Sequence, residues 1–233
     1  MSGQIINVYQ KGSQPVSYPL ILPIAKDPSL VGCWLFNERA GATLMDVSGN
    51  NNHGTITGAD WVSGRNGSAL NFVSASADVV NCGLAPALDF TTELFTVAFW
   101  IKRTEAGFKG LFSKRGTGPS TGFASYSNTG GTVFLEWYNV TEQSSEGTCG
   151  LTVANGWRHI VIVRDSATTV KFYSMGADVT TGGTAKNMTS PVGEDFNIGL
   201  YPTMPWDGEI DSFMVFNKAL SAGEVKTLYE SGI

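Results

Sequence analysis

The sequence predicts an all-β fold: an antiparallel two-sheet sandwich, preceded by an extended N-terminal arm and closed by a short C-terminal helix. Three observations lead there. Ten or so short segments carry strand patterns with turn signals between them. The 233 residues include 28 glycines, a supply suited to many tight turns. Hydrophobic residues make up 42% and charged residues 15%, enough apolar side chains for one packed core and too few charges for a disordered chain. The length suits a single large all-β domain with a short appendage.

Residues Met1 to Pro28 stand apart. They are largely polar, contain Pro15, Pro19, Pro23 and Pro28, and follow no sustained period. We read 1–28 as an extended docking arm and 29–233 as the domain. From Leu30 the pattern is β. Val31 to Phe36 reads as a strand that runs into an acidic, asparagine- and glycine-rich turn, Asp46-Val47-Ser48-Gly49-Asn50-Asn51-Asn52-His53-Gly54, and back into a strand. Ala69–Val73 and Ala77–Val80 are short strands around a turn. Phe95–Lys102 places aromatics on one face, Gly110–Lys114 follows, and Thr132–Tyr138 is a further strand. Trp157–Arg164 contains a continuous apolar run, as a central strand does. Val170–Ser174 pairs with it across the turn Asp165–Thr169. Phe196–Leu200 and Gly208–Phe216 complete the set. Ser221, with Glu224 three residues on, is a capping box opening a helix to about Tyr229.

The formal net charge of −5 and the lack of a basic stripe exclude an electrostatic case for nucleic-acid binding. No apolar run is long enough to cross a bilayer, so membrane insertion is not expected. Met1–Ser17 lacks a basic stretch followed by an apolar one, so no secretory signal is read and the expected setting is a virion or other particle assembled in the cytosol. Cys33, Cys82 and Cys149 are an odd set without zinc spacing. They are expected as small buried hydrophobes, with one disulfide plus a free thiol as the alternative.

Four stretches carry a family resemblance. They are Gly32–Glu38 with Asp46–Gly54; Phe95–Lys102; Gly156–Val161 followed by Lys171–Gly176; and Asp207–Asp211 with Phe216–Ser221. In order and spacing they resemble a laminin G-like jelly roll of the concanavalin A-like lectin/glucanase superfamily, over about Leu30 to Gly232. The resemblance implies a jelly-roll sandwich that serves in binding or adhesion more often than in catalysis. The fold itself fixes no ligand.

Oxygens of the 46–54 turn could surround a hard cation such as calcium, or could simply make a hydrogen-bonded turn, where Asp and Asn are favoured anyway. The resemblance implies a structural Ca2+ held by Asp46, Asn52 and, from the far end of the chain, Asp211. For Asp211 the alternative is a bond to main chain that braces a turn. Glu209-Ile210-Asp211 resembles the start of the retaining-glucanase pattern Glu-x-Asp-x-Glu, whose chemistry needs two carboxylates about 5 Å apart. If alternate residues of the strand share a face, the position of the acid/base is Phe213, which cannot donate a proton. No catalytic residue is therefore assigned. His159 is expected to be structural and His53 solvated. Gly116–Pro119 and Gly182–Gly183 read as loop glycines, without the lysine or helix of a phosphate cradle.

Tyr201, Trp206 and Trp137 are the candidate ligand-binding residues, aromatic rings able to stack on sugars. Trp137 and Tyr138 alternate on a strand, so one of them should be core, and the Tyr201–Trp206 loop could be a ligand lip, a subunit contact or packing on the rim. The leading expectation is a non-enzymatic structural or adhesion subunit of a larger assembly, of phage or viral decoration or fibre type. Its partners would be other subunits reached through residues 1–28, as a homo-oligomer, and cell-surface glycans. The alternative is a calcium-dependent carbohydrate-binding lectin module. A glycoside hydrolase ranks last.

Overall fold

The computed structural model describes residues 27–91, 93–115, 121–139, 141–166, 168–183, 191 and 193–233. Most of the predicted arm and the Gly116–Pro119 loop lie outside them. The strands, in chain order, are β1 (Leu30–Trp34), β2 (Thr43–Leu44), β3 (Gly54–Thr57), β4 (Asp60–Ser63), β5 (Ser68–Phe72), β6 (Val79–Asn81), β7 (Phe95–Arg103), β8 (Lys109–Lys114), β9 (Phe123–Ser127) and β10 (Val133–Asn139). They continue with β11 (Thr141–Gly147), β12 (Trp157–Arg164), β13 (Val170–Ser174), β14 (Ala177–Asp178), β15 (Thr180–Gly183), β16 (Phe196–Ile198), β17 (Leu200–Tyr201), β18 (Met204–Pro205) and β19 (Gly208–Phe216). Helix α1 spans Ala222–Ser231.

Two antiparallel sheets face each other. An eight-stranded sheet runs β14-β13-β12-β7-β19-β5-β4, with β1 also on β19, and a nine-stranded sheet runs β15-β11-β10-β9-β8-β16-β6-β3-β2. The expected jelly-roll sandwich is therefore the fold. The main core lies between the sheets and takes alternate residues of each strand: Val97, Phe99 and Ile101 from β7, and Val133, Leu135 and Trp137 from β10. Phe99 and Phe213 stack at 5.1 Å, and Trp34 stacks on Phe196 at 5.8 Å. Burying each such ring contributes roughly 1.5–3 kcal/mol.

A second, smaller core covers the outer face of the eight-stranded sheet. Met214, Phe216, Cys33 and Val161 point outward there and meet Val225 and Leu228 of α1. The capping box read at Ser221 is present: its side chain accepts from Glu224 N while the Glu224 carboxylate accepts from Ser221 N. At the other end Gly232 takes the left-handed conformation, φ 75°, that ends a helix. All three cysteines are buried free thiols, as expected.

One expectation about faces is corrected. Ile210 and Phe213 both point into the main core although they are three residues apart, because a bulge interrupts the pairing of β19 with β7 after Asp211 and Ser212 sits at φ 51°. Alternation is thereby reset. Phe213 is on the opposite face from Asp211, in the aromatic core, and shares no surface with Glu209 and Asp211.

Candidate functional site

The turn that follows β1 closes on itself. Asp46 Oδ1 accepts hydrogen bonds from Cys33 N and Ser48 N, each 2.9 Å, and Oδ2 accepts from Asn52 N at 2.9 Å. Asn52 donates from Nδ2 to Val31 O at 3.1 Å, and its carbonyl accepts from Trp34 Nε1 at 2.9 Å. His53, exposed, accepts from Asp46 N through Nδ1 at 3.0 Å. Asp211 is fully buried elsewhere: Oδ2 accepts from Asn66 N at 2.8 Å and Oδ1 from Ser212 Oγ at 3.1 Å. The carboxylates of Asp46 and Asp211 share no hydrogen-bond partner, and among the described residues no three His, Cys, Asp or Glu side chains gather as a metal site. Three main-chain N–H groups already donate to the Asp46 carboxylate, which weighs against a cation there. This donor set does not fit the ion, and both carboxylates act as braces for main-chain turns.

The aromatic expectations divide. Trp137 and Trp206 are core residues, 1% and 0% exposed, and neither offers a face to a sugar. Tyr201 is half-buried and belongs to a site on the other side of the nine-stranded sheet. Because Val133, Leu135 and Trp137 point inward from β10, Phe134 and Glu136 point outward. Phe134 pairs with Tyr126 of β9, and their rings stack at 4.8 Å with an 8° tilt. Phe108, just before β8 and 59% exposed, approaches Tyr126 at 6.0 Å. The β17–β18 hairpin lies over Gly110 of β8. A methyl group there would overlap the main chain of Tyr201 and Met204, so the approach requires glycine.

That approach sets the Tyr201 ring edge-on to Tyr126 at 5.6 Å and beneath the Arg115 guanidinium at 5.1 Å. The Tyr201 hydroxyl accepts from Arg115 Nη1 at 2.7 Å and donates to Glu136 Oε2 at 2.6 Å, a charge-assisted chain that fixes all three side chains. Next to it runs a row set by strand register, Asn81, Asn197, Ser113, Ala124, Glu136 and Ser144, polar at every position but Ala124. Asn81 Nδ2 donates to Asp195 Oδ2 at 2.9 Å. Beneath, Arg103 holds the turn before β8: its guanidinium donates to the carbonyls of Glu105, Gly107, Asn128 and Leu151. The result is a braced platform of three partly exposed aromatic rings, Phe108, Tyr126 and Phe134, walled by Tyr201 and flanked by the half-buried amides of Asn81 and Asn197 and the exposed Ser144, with Ser113 and Glu136 buried in the same row.

Of the three aromatics named from the sequence, Tyr201 alone lies at this platform; Phe108, Tyr126, Phe134, Arg115 and Glu136 beside it carry no motif in the sequence. The outward position of Phe134 next to the inward Leu135 is the signal that could have found it. The glucanase-like carboxylates lie on the opposite sheet, where Glu209 is paired with Lys102 at 2.8 Å.

Structural comparison finds the same fold in solved structures. The binding domain of Paraclostridial Mosquitocidal Protein 1 superposes with TM-score 0.71 at 17% identity, over 87% of this chain and 52% of that one, so this chain spans about half of its length. Domain 4 of AbnA, a GH43 extracellular arabinanase from Geobacillus stearothermophilus in complex with arabinotriose, superposes with TM-score 0.67 at 18% identity, over 86% of this chain and 98% of that domain. The botulinum neurotoxin serotype G binding domain gives TM-score 0.65 at 15% identity, over 86% of this chain and 50% of that one. At these identities the likeness is one of fold. A sequence comparison with curated proteins finds no match. A laminin G-type family model matches residues 74–226, starting well after Leu30 but covering more than half of the chain. This protein therefore belongs to the concanavalin A-like lectin/glucanases superfamily.

Proposed function

We propose that this chain is a non-enzymatic glycan-binding module whose binding face is the outer surface of the nine-stranded sheet around Phe108, Tyr126, Phe134 and Tyr201. The observation that carries the reading is the braced aromatic platform itself. Partly exposed rings on a rigid sheet, beside amides and hydroxyls, match the two surfaces of a sugar: C–H faces that pack on π-systems and hydroxyls that need oriented donors and acceptors. The superfamily and the arabinotriose-bound domain among the fold neighbours point the same way. Catalysis is not part of the reading, because the carboxylates that resemble the glucanase pattern are a salt-bridged Glu209 and a buried Asp211, with Phe213 turned to the core.

A glycan array followed by calorimetry tests it. The wild-type chain should bind at least one oligosaccharide in the micromolar-to-millimolar range, about −8 to −4 kcal/mol. Tyr126→Ala with Phe134→Ala should abolish that binding without unfolding the domain.

In the adhesion-subunit setting expected from the sequence, this module would be mounted on a particle by residues 1–28. Asp27, bonded to Lys218 at 2.8 Å, fixes where that segment joins the sandwich, beside α1. Mass photometry of the whole chain and of a chain lacking residues 1–26 tests the mounting. An oligomer that becomes monomeric on truncation supports it, and a monomer in both cases removes it.

A further inference from the structure

The loop after β1 carries two non-glycine residues in the left-handed region, Phe36 at φ 56° and Arg39 at φ 62°. Such a conformation is costly for a residue with a side chain and persists where the surroundings impose it. Here they do. Ser68 Oγ donates to Phe36 O at 2.5 Å, Ser68 N donates to Asn37 Oδ1 at 3.4 Å, and Trp61 Nε1 donates to Gly41 O at 2.9 Å. The loop is fastened to β5 at its start and to β4 at its end. Beside it lies a cleft of about 460 Å³ lined by Arg39, Trp61, Val62, Ser63, Gly67 and Ser68, a volume suited to a small ligand.

The chemistry of the lining is specific. Arg39 is exposed, and its guanidinium makes no hydrogen bond or ion pair with any described residue. The other five lining residues are uncharged, so the cleft holds one positive charge and no counter-charge. Trp61 packs partly against the main core, and its bond to Gly41 fixes the ring. Among the described residues strand β4 ends its sheet, so one row of its main-chain N–H and C=O groups has no strand partner among them.

We propose that this cleft binds a sugar acid: a monosaccharide, or the terminal unit of a glycan, that carries a carboxylate. The Arg39 guanidinium presents paired N–H donors to the carboxylate. The indole of Trp61 meets a C–H face of the ring. The exposed Ser63 hydroxyl and the free main-chain edge of β4 serve the ring hydroxyls. This site goes beyond the glycan face proposed above: it lies on the other sheet and shares no residue with it.

Proton–nitrogen correlation spectra of the full chain test the proposal, read at the Trp61 indole N–H, which Trp61→Phe assigns. N-acetylneuraminic acid, glucuronic acid, glucose and acetate are titrated separately. Both acids should shift the Trp61 signal to saturation, with glucose and acetate binding at least about tenfold more weakly. Arg39→Gln should weaken the acids at least about tenfold with the rest of the spectrum unchanged. Tyr126→Ala with Phe134→Ala should leave the acids unaffected, which separates this site from the outer face. A missing Trp61 shift at about 10 mM acid, equal binding of glucose, equal binding of acetate, undiminished binding by Arg39→Gln, or loss of acid binding in the outer-face variant overturns it.

Discussion

Asp211 and His159 sit at the two ends of one row across three strands, with Trp100 paired to both. Arg65 lies 4.7 Å above Trp100, and Tyr229 of α1 closes over Trp100 and His159 at 6.0 and 5.9 Å. Burial penalises charge on both end groups, in opposite directions of pH. It raises Asp211 from 3.8 to about 7 and lowers His159 from 6.5 to about 4. The stability tied to a neutral Asp211 is full below pH 3.8 and is lost as pH rises through about 7. The stability tied to a neutral His159 is full above pH 6.5 and is lost as pH falls toward about 4. Between about pH 4 and 6.5 the two slopes oppose, each up to about 1.4 kcal/mol per pH unit. The expected outcome is a shallow melting profile for the wild type across that window. His159→Phe should melt progressively lower as pH rises, and Asp211→Asn progressively lower as pH falls. Parallel profiles for all three proteins, measured by calorimetry, would show that these groups do not titrate as described. At the site, Tyr201→Phe removes the hydroxyl between Arg115 and Glu136 and leaves a carboxylate that is 4% exposed without that donor. A loss of about 1–3 kcal/mol in denaturant stability is expected, together with weaker glycan binding.

The β17–β18 hairpin is the element on which the proposed binding face turns, and its seat is Gly110. Gly110→Ala should lift the hairpin from β8, at a cost of about 1–3 kcal/mol. Near-ultraviolet circular dichroism and glycan affinity should report the Tyr201 environment lost while the core strands stay folded; unchanged affinity would separate the hairpin from binding. Helix α1 gives a second check. Ser221→Ala removes a capping box that closes in both directions, for about 1 kcal/mol and a fall of roughly 2–4 °C in melting temperature. The cap was legible because its signature is local. So were Trp157–Arg164, a buried run, and Gly208–Phe216, whose alternation is strong on both sides of the bulge. Strands β9 and β11 escaped reading for a physical reason. In β9 two inward positions are Ser125 and Ser127, and β11 reads Thr-Glu-Gln-Ser-Ser-Glu-Gly. Ladder bonds to apolar neighbours make them strands, not their own side chains. The bulge at Asp211–Ser212 was hidden as well, since it depends on a left-handed residue imposed by the packing around it. Tyr201 was legible as an aromatic in a proline-containing loop, but its partners at 115, 126 and 136 come together only through the order β10-β9-β8.

At the scale of the molecule the two outer faces differ, and the proposed binding face rests on that difference. The face of the eight-stranded sheet is closed by α1, a second apolar core and buried titratable groups. The face of the nine-stranded sheet carries half-buried and exposed rings held by a bonded chain of Arg115, Tyr201 and Glu136. Calcium has no role in this account, since Asp46 and Asp211 are engaged with main chain in separate places. A chelator should therefore leave both the melting temperature and glycan binding unchanged, and a fall in either on adding chelator, reversed by calcium, would contradict that. The most direct test of the central claim is calorimetric titration of the best array oligosaccharide into the wild type and into Tyr126→Ala with Phe134→Ala, both confirmed folded by their melting transitions. Saturable binding by the wild type that disappears in the variant is the predicted result. Equal binding by the two proteins would contradict it, as would a wild type that binds no oligosaccharide.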